Sequence, residues 1–230
     1  MKTFFKWILI VLGILVALGF VGYLVLNESK PQGVQGPKAE ALTDKMLLAV
    51  DQAAWDTTQV ISWDFAGRNQ YKWNKAADSV QVRMGDVVVD LHTKSITGTV
   101  TKAGVLVSGE KADKLVQAAW TNFCNDSFWL SAPYKVRDPG TSRSLVTLSN
   151  GQEALLITYD SGGVTPGDSY LWILDDTGLP TAWKMWVKII PIGGIEATWE
   201  DYKTLSTGAK LSQKHELPIF TLALTGITEG

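Results

Sequence analysis

The chain has 230 residues with a formal net charge of −2, and 46% of its residues are hydrophobic. The first 30 residues contain three lysines and one glutamate, a charge of +2, so the rest of the chain carries −4. No basic block or stripe is present, which argues against a nucleic-acid partner. Cys124 is the single cysteine, so an intramolecular disulfide is excluded and the fold depends on its core.

The N-terminal region contains a run of 20 uncharged, mostly aliphatic residues, 7–26. As a helix this run is about 30 Å long, the thickness of the hydrocarbon core of a bilayer. Lys2 and Lys6 precede it and favour a cytoplasmic location for residues 1–6. Because no small-x-small cleavage motif follows, we predict an uncleaved transmembrane signal anchor, with a long cleaved signal peptide as the alternative. The remainder of the chain is then expected outside the cytoplasm.

Residues 27–38 are polar and include two prolines and two glycines, a composition typical of a flexible linker. Beyond it, residues 39–55 carry apolar side chains at the spacing of an amphipathic helix. A second helix is predicted after Ser108, a suitable N-cap, with a single apolar stripe that ends near Phe123. Residues 125–130 combine capping residues with aromatic ones. They predict either a flap over a cavity or a helix-to-strand connection packed on the core.

The rest of the chain alternates apolar and polar residues with the period of two that is typical of strands. Ile61, Trp63 and Phe65 share one face of the first predicted strand. Turn signals such as Asn150-Gly151 separate the runs at short intervals. We therefore predict a mainly β (α+β) domain with ten or eleven strands in a strongly curved antiparallel sheet, on which the two helices pack.

Nine of the ten tryptophans lie after residue 38. In the strand around Trp183 and Met185, one face is apolar, while the other alternates lysine with Trp186. The neighbouring run 170–174 is apolar on both faces, so we expect it to be covered on both sides. Two interpretations remain open: an aromatic-rich solid core, or an apolar cavity between sheet and helices that is sized for a greasy ligand.

Residues 170–217 carry a recognisable succession of motifs. The strand YLWIL is followed by the turn DDTGLP, the aromatic strand TAWKMW, then ATWEDY and TGAKL. This order resembles the closing strands of the LolA/LolB-like superfamily of bacterial outer-membrane lipoprotein-sorting proteins. The resemblance implies an incomplete β-barrel whose concave face is apolar, capped by helices and able to hold the acyl chains of lipids or lipoproteins. It also implies an initial helix, which residues 39–55 supply.

The resemblance gives residues 39–217 as the LolA-like domain and 218–230 as a C-terminal tail. The ligand is predicted to contact an apolar cavity and a helical lid; the cavity residues are Ile61, Trp63, Phe65, Tyr170, Trp172, Trp183, Met185 and Trp199, and the lid residues are Trp120 and Phe123.

Catalytic signatures are weak. The only histidines are His92 and His215, both predicted at the surface, and no HExxH, G-x-S-x-G or phosphate-binding loop is present. A triad can assemble from distant residues, so an exported hydrolase stays a minor alternative.

Four aspartates, Asp126, Asp138, Asp160 and Asp168, lie near predicted turns. They offer oxygen ligands for Ca²⁺, but aspartate is common in turns for backbone reasons, and we expect no metal site and no cofactor. Cys124 is predicted to be a small buried hydrophobe rather than a reactive thiol.

Together these features predict a single-pass inner-membrane protein with a periplasmic domain that binds a lipid or an acylated protein without catalysis. Members of the resembled family are typically released from the membrane or lipidated, whereas here a linker of about a dozen residues reaches at most ~40 Å. A membrane-proximal acceptor, chaperone or sensor is therefore expected rather than a mobile carrier. The alternative from another class is a protein-interaction or sensor domain with a solid aromatic core and no ligand.

Overall fold

The computed structural model describes residues 26–161 and 164–230, together with Trp7 and Gly22. The predicted anchor, residues 7–26, lies almost wholly outside the described residues. Within the part of the chain that is described, no helix combines the length and the apolar character needed to cross a membrane.

Among the described residues, three α-helices precede or separate the strands: α1 (Pro37–Val50), α2 (Gln52–Thr57) and α3 (Glu110–Ser131), the last followed by a 3₁₀ helix, Ala132–Lys135. The first predicted helix is thus divided at Asp51, whose backbone is left-handed with φ 62°. The Asp51 carboxylate accepts a hydrogen bond from the Ala54 amide at 3.0 Å, so the same residue ends α1 and caps α2.

Helix α3 is longer than its apolar stripe predicted. It continues through residues 125–130, for which the sequence suggested a flap or a connection. The physical reason is that this part of the helix has its own buried face, since Ser127 and Leu130 are buried together with Phe123. The polar and aromatic residues at 125–130 are therefore helical positions that face different surroundings.

The described residues form fourteen strands in two antiparallel sheets, ordered β12-β13-β14-β1-β2-β3-β4-β5-β6 and β11-β10-β9-β8-β7. The strands are β1 (Val60–Phe65), β2 (Asn69–Asn74), β3 (Ser79–Met84), β4 (Val87–His92), β5 (Thr97–Lys102), β6 (Val105–Val107), β7 (Thr141–Thr147), β8 (Glu153–Tyr159), β9 (Ser169–Leu174), β10 (Pro180–Trp186), β11 (Ile195–Thr198), β12 (Glu200–Thr204), β13 (Lys210–Leu217) and β14 (Phe220–Glu229).

A corner at Trp199 divides what the sequence predicted as one curved sheet. Trp199 is the single residue between β11, in the five-stranded sheet, and β12, in the nine-stranded sheet. Its amide donates to the Thr181 carbonyl at 2.7 Å, and Asp201 is left-handed with φ 52°, so the strand turns sharply here. Strands β6 and β7, at the far edges of the described sheets, do not pair, so the sheets form no closed barrel.

Residues 218–230 are not the tail that the sequence analysis assigned. They contain β14, which pairs with both β13 and β1 inside the nine-stranded sheet. Leu222, Leu224 and Ile227 are buried, and their spacing changes from two to three because Gly226, with φ 62°, lies in a bulge. The bulge interrupts the alternation by which a strand is recognised in a sequence.

Two apolar clusters meet at α3. The first fills the space between the nine-stranded sheet, α2 and α3, and the second joins the five-stranded sheet to α1 and the end of α3. A third cluster, which includes Leu156 and Leu171, lies on the other face of the five-stranded sheet. As predicted from its two-faced apolar pattern, the run 170–174 is covered on both sides.

Residues 27–34, which we call the stem, are bound to the five-stranded sheet although their composition predicted flexibility. The Glu28 amide donates to the Gly193 carbonyl at 3.0 Å, and its carboxylate lies 2.8 Å from the Lys184 ammonium. Val34 and Leu145 exchange two backbone hydrogen bonds of 2.8 Å at the edge of β7. The sheet edge thus supplies partners for a segment that has no secondary structure of its own.

Candidate ligand cavity

A cavity of about 530 Å³ lies against α3 where the helix passes between the two sheets. Its volume is within the range of small-molecule binding pockets. Most of its wall is aromatic or aliphatic and comes from three places: Trp120, Phe123, Phe128 and Trp129 of α3, Phe65 and Trp73 of the nine-stranded sheet, and Tyr159, Tyr170, Trp183 and Met185 of the five-stranded sheet. The arrangement is suited to an apolar ligand that contacts the helix and both sheets.

Aromatic contacts hold the wall in place. The Phe128 ring stacks on Trp183 with centroids 5.7 Å apart and lies 4.9 Å from Tyr170. Trp129, next along the helix, makes an edge contact of 5.0 Å with the same Trp183. Such offset and edge arrangements are the favourable geometries for aromatic pairs. Phe128 and Trp129 of α3 therefore both pack against Trp183 of β10, and these contacts fix the distance between the helix and the sheet.

A polar cluster around Asp126 borders the cavity. Asp126 is buried and accepts hydrogen bonds from the Tyr71 hydroxyl at 2.5 Å and the Asn69 amide at 2.9 Å. Burial raises the pKa of this carboxyl above its ordinary value, and burial beside Asp126 raises the pKa of Tyr71. The cluster satisfies its own hydrogen bonds, so its main effect is to tie α3 to β2.

Some buried donors in the wall have no protein partner among the described residues. They are the Tyr159 hydroxyl and the Trp183 indole nitrogen. An unpaired indole is no specific sign of a ligand here, because Trp172 and Trp199, which lie away from the cavity, share it. The Tyr159 hydroxyl is the more informative group, since a buried unpaired hydroxyl costs about 1–3 kcal/mol and a ligand oxygen would satisfy it.

Six of the ten residues predicted for the site line the cavity: Phe65, Tyr170, Trp183, Met185, Trp120 and Phe123. The other four, Ile61, Trp63, Trp172 and Trp199, are buried within the packed clusters. Strand alternation correctly predicted that the strand residues of both groups face the interior. Only those that lie next to the second half of α3 reach the cavity. The predicted lid residues belong to the wall, where Phe123 packs 5.2 Å from Trp73.

The sequence analysis did not assign Phe128, Trp129 or Tyr159 to the cavity. A helical reading of residues 125–130 would have placed Phe128 and Trp129 on the extension of α3. Cys124 also lines the cavity, half-buried, and burial raises the pKa of its thiol to about 11. The thiol is therefore protonated at neutral pH, in line with the unreactive cysteine that was predicted.

The two histidines lie in opposite surroundings. His92 is exposed, as predicted, with its Nδ1 3.2 Å from the Ser95 hydroxyl. His215 is fully buried, which contradicts the predicted surface position. Its Nδ1 lies 2.8 Å from the Thr198 carbonyl, and its ring packs 4.5 Å from Trp199. Because a carbonyl only accepts, Nδ1 carries the proton, and burial lowers the pKa of His215 to about 4.

The aspartates considered for calcium do not converge. Asp168 is buried and accepts the Lys188 amide at 2.9 Å, while Asp138 is exposed and lies 3.6 Å from Lys135. In the described ranges, no three histidine, cysteine, aspartate or glutamate side chains are grouped as metal ligands would be.

Comparisons with known proteins give little further information. No family model matches the chain, and no curated protein matches it. Among solved structures, it is similar to the crystal structure of a DUF1329 family protein from Desulfovibrio piger ATCC 29098, with 13% sequence identity and a TM-score of 0.39. The alignment covers 83% of this chain and 92% of that one. A likeness at this level carries no conclusion about family or function.

Proposed function

We propose that this protein is a membrane-anchored, extracytoplasmic lipid- or lipoprotein-binding protein that holds an acyl chain in the cavity without catalysis. The observation that carries the proposal is the 530 Å³ cavity, which lies between α3 and both sheets and is lined mainly by apolar side chains. The resemblance of residues 170–217 to LolA/LolB-like proteins points to the same class of ligand.

The wall chemistry supports an acyl chain over a polar metabolite. Each methylene moved from water into an apolar site contributes about 0.8 kcal/mol. Ten buried methylenes therefore contribute on the order of 8 kcal/mol before the cost of ordering the chain and the ligand. At the boundary, Lys135 and Asp138 provide charged groups for the polar end of the ligand, and the Tyr159 hydroxyl offers a hydrogen bond.

The alternatives receive less support. A solid-core interaction domain accounts for Ile61, Trp63, Trp172 and Trp199 but leaves a cavity of this size without a role. A hydrolase needs a histidine beside a nucleophile in a cleft. Neither histidine is among the residues that line the described cavity.

The test uses the full chain reconstituted in vesicles of phosphatidylethanolamine and phosphatidylglycerol with a photoactivatable fatty acid. After irradiation, mass spectrometry maps the adducts. We expect them on the cavity wall, above all on α3, β9 and β10. Cys124→Trp places a large side chain in the cavity and should lower this labelling about tenfold, while Ala118→Trp, on an exposed position of the same helix, should not.

Circular dichroism checks that both variants fold, since overpacking a core position costs about 1–3 kcal/mol. Adducts confined to residues 7–26, with equal labelling of wild type and Cys124→Trp, would overturn the proposal and favour the interaction domain.

A further inference from the structure

We propose that the cavity opens onto the lipid bilayer through the loop 187–194, which lies on the membrane surface and admits acyl chains directly from it. We call this segment the portal loop. The inference rests on the proposed function for the identity of the ligand, and it adds the route by which that ligand enters and the surface that the protein presents to the membrane.

The first argument is where the predicted anchor ends. Its last residue is Leu26, and the next residue, Asn27, accepts a hydrogen bond from the Gly193 amide at 2.8 Å. The Glu28 amide donates to the Gly193 carbonyl at 3.0 Å, and the Glu28 carbonyl accepts from the Trp186 indole at 2.8 Å. One residue of chain spans less than about 4 Å. A helix that leaves the bilayer at Leu26 therefore holds the portal loop at the membrane surface.

The second argument is the composition of the portal loop. Its central residues are Ile-Ile-Pro-Ile, and the side chain of Ile189 is 72% exposed. Ile190 and Ile192 are half-buried, and Pro191 is exposed. An apolar tip of this kind is unfavourable in water but favourable in the interfacial region of a bilayer. Lys188, exposed at the start of the same loop, adds a cation that anionic headgroups attract.

The third argument joins the portal loop to the cavity. Val187, Ile189 and Ile190 belong to the cavity wall although they lie outside the strands. The loop is held at both ends: the Asp168 carboxylate accepts the Lys188 amide at 2.9 Å, and the Gly194 amide donates to the Met185 carbonyl at 2.9 Å. One segment thus touches the chain that leaves the predicted anchor, the solvent and the cavity. An acyl chain that follows this apolar path avoids crossing water.

Another exposed apolar site provides a control. Ile219 is 90% exposed in the tight turn between β13 and β14, and it is not among the residues that line the described cavity. It has the same side chain as Ile189 and is also largely exposed. If any exposed isoleucine binds the bilayer nonspecifically, the two positions should contact lipid equally. If the portal loop lies on the membrane, position 189 should contact lipid more than position 219.

The experiment labels the full chain, in a Cys124→Ser background, with an environment-sensitive fluorophore at Ile189→Cys or at Ile219→Cys. The protein is reconstituted in vesicles of phosphatidylethanolamine and phosphatidylglycerol, with or without lipids that carry a spin-label quencher near the headgroup. We expect a blue-shifted emission and severalfold stronger quenching at position 189 than at 219. Equal quenching at the two positions would overturn the inference. The same result is expected if the portal loop binds a partner protein instead of the bilayer.

A second measurement separates this inference from the proposed function. The double variant Ile189→Asp with Ile190→Asp should slow photo-adduct formation on the cavity wall by about tenfold, because apolar contact with the bilayer is lost, while Ile219→Asp should not. Wild-type adducts on the wall with an unquenched label at 189 would reject the portal and keep the ligand cavity. A quenched label without adducts would reject the ligand and keep the membrane contact.

Discussion

Protonation of His215 should destabilise the domain at mildly acidic pH. The imidazole is fully buried between Trp129 and Trp199, and its Nδ1 donates to the Thr198 carbonyl at the corner between the two sheets. Burial lowers its pKa from 6.5 to about 4. The unfolded chain therefore binds this proton more readily than the folded chain, and stability falls as pH decreases from about 6.5 to about 4.

The magnitude follows from the two pKa values. Each pKa unit corresponds to 1.36 kcal/mol, so the full shift is worth about 3 kcal/mol. Between pH 7 and pH 4.5, most of this is lost, and the free energy of unfolding should fall by about 2.5 kcal/mol because of His215 alone. Glu200 lies near the His215 ring and favours the charged imidazolium. Lys214 is paired with both Glu200 and Glu216. These groups modify the change but do not reverse it.

The assay is urea unfolding of residues 27–230, which retain the stem. Unfolding is monitored by tryptophan fluorescence at pH 7 and at pH 4.5. His215→Asn keeps a donor near the Nδ1 position and removes the titration, so the pH-dependent loss should shrink by about 2.5 kcal/mol. His92→Asn, the exposed control, should behave as wild type. If wild type and His215→Asn lose the same stability, the buried neutral imidazole is refuted.

Further predictions concern single contacts, each measured by the same unfolding assay. Asp51→Ala should cost about 1–2 kcal/mol because it removes the helix cap and leaves at φ 62° a residue without the side-chain hydrogen bond that lets aspartate adopt this conformation, whereas Asp51→Gly should cost less. Tyr134→Phe should cost about 1–3 kcal/mol because the buried hydroxyl accepts from the Lys210 amide and shares its proton between the Val50 and Lys210 carbonyls. Tyr159→Phe, which removes a hydroxyl with no partner among the described residues, should cost nothing in ligand-free protein, and an equal loss in both variants would contradict this reasoning. Burial raises the pKa of Asp126, so the contribution of this carboxyl to stability should fall as pH rises above about 4 through its folded pKa, opposite in sign to the contribution of His215. Asp126→Asn should therefore lose more stability on acidification than wild type, while Asp138→Asn should behave as wild type.

Strand content was largely predictable from the sequence, because period-two alternation reports directly on a sheet with one buried face. The runs around Trp63 and Trp183 are strands with the predicted faces buried. The central strand β14 was missed because the bulge at Gly226 breaks the alternation that identifies a strand. The division into two sheets depends on the backbone turn at Trp199, for which no local pattern exists.

The sequence predicted which face of each strand points toward the candidate site. It did not predict which residues on that face line the cavity. Trp172 and Trp183 are buried on the same side of the five-stranded sheet, yet only Trp183 lies beside α3 at the cavity. Which residue faces empty space depends on where the helix crosses the sheet, and the sequence of a strand does not contain that information. The same holds for His215, whose burial comes from Trp129 on another element.

The bound stem lowers the affinity for lipid that the domain surface needs in order to stay in contact with the membrane. A free linker of twelve residues would let the domain explore a hemisphere of roughly 40 Å radius. With residues 27–34 hydrogen-bonded to the sheet, the distance from the predicted anchor to the body of the domain shrinks to a single residue. Contact with the bilayer then becomes an intramolecular event at an effective concentration in the millimolar range or above. Even a surface too weak to bind vesicles on its own would stay in contact with lipid for much of the time.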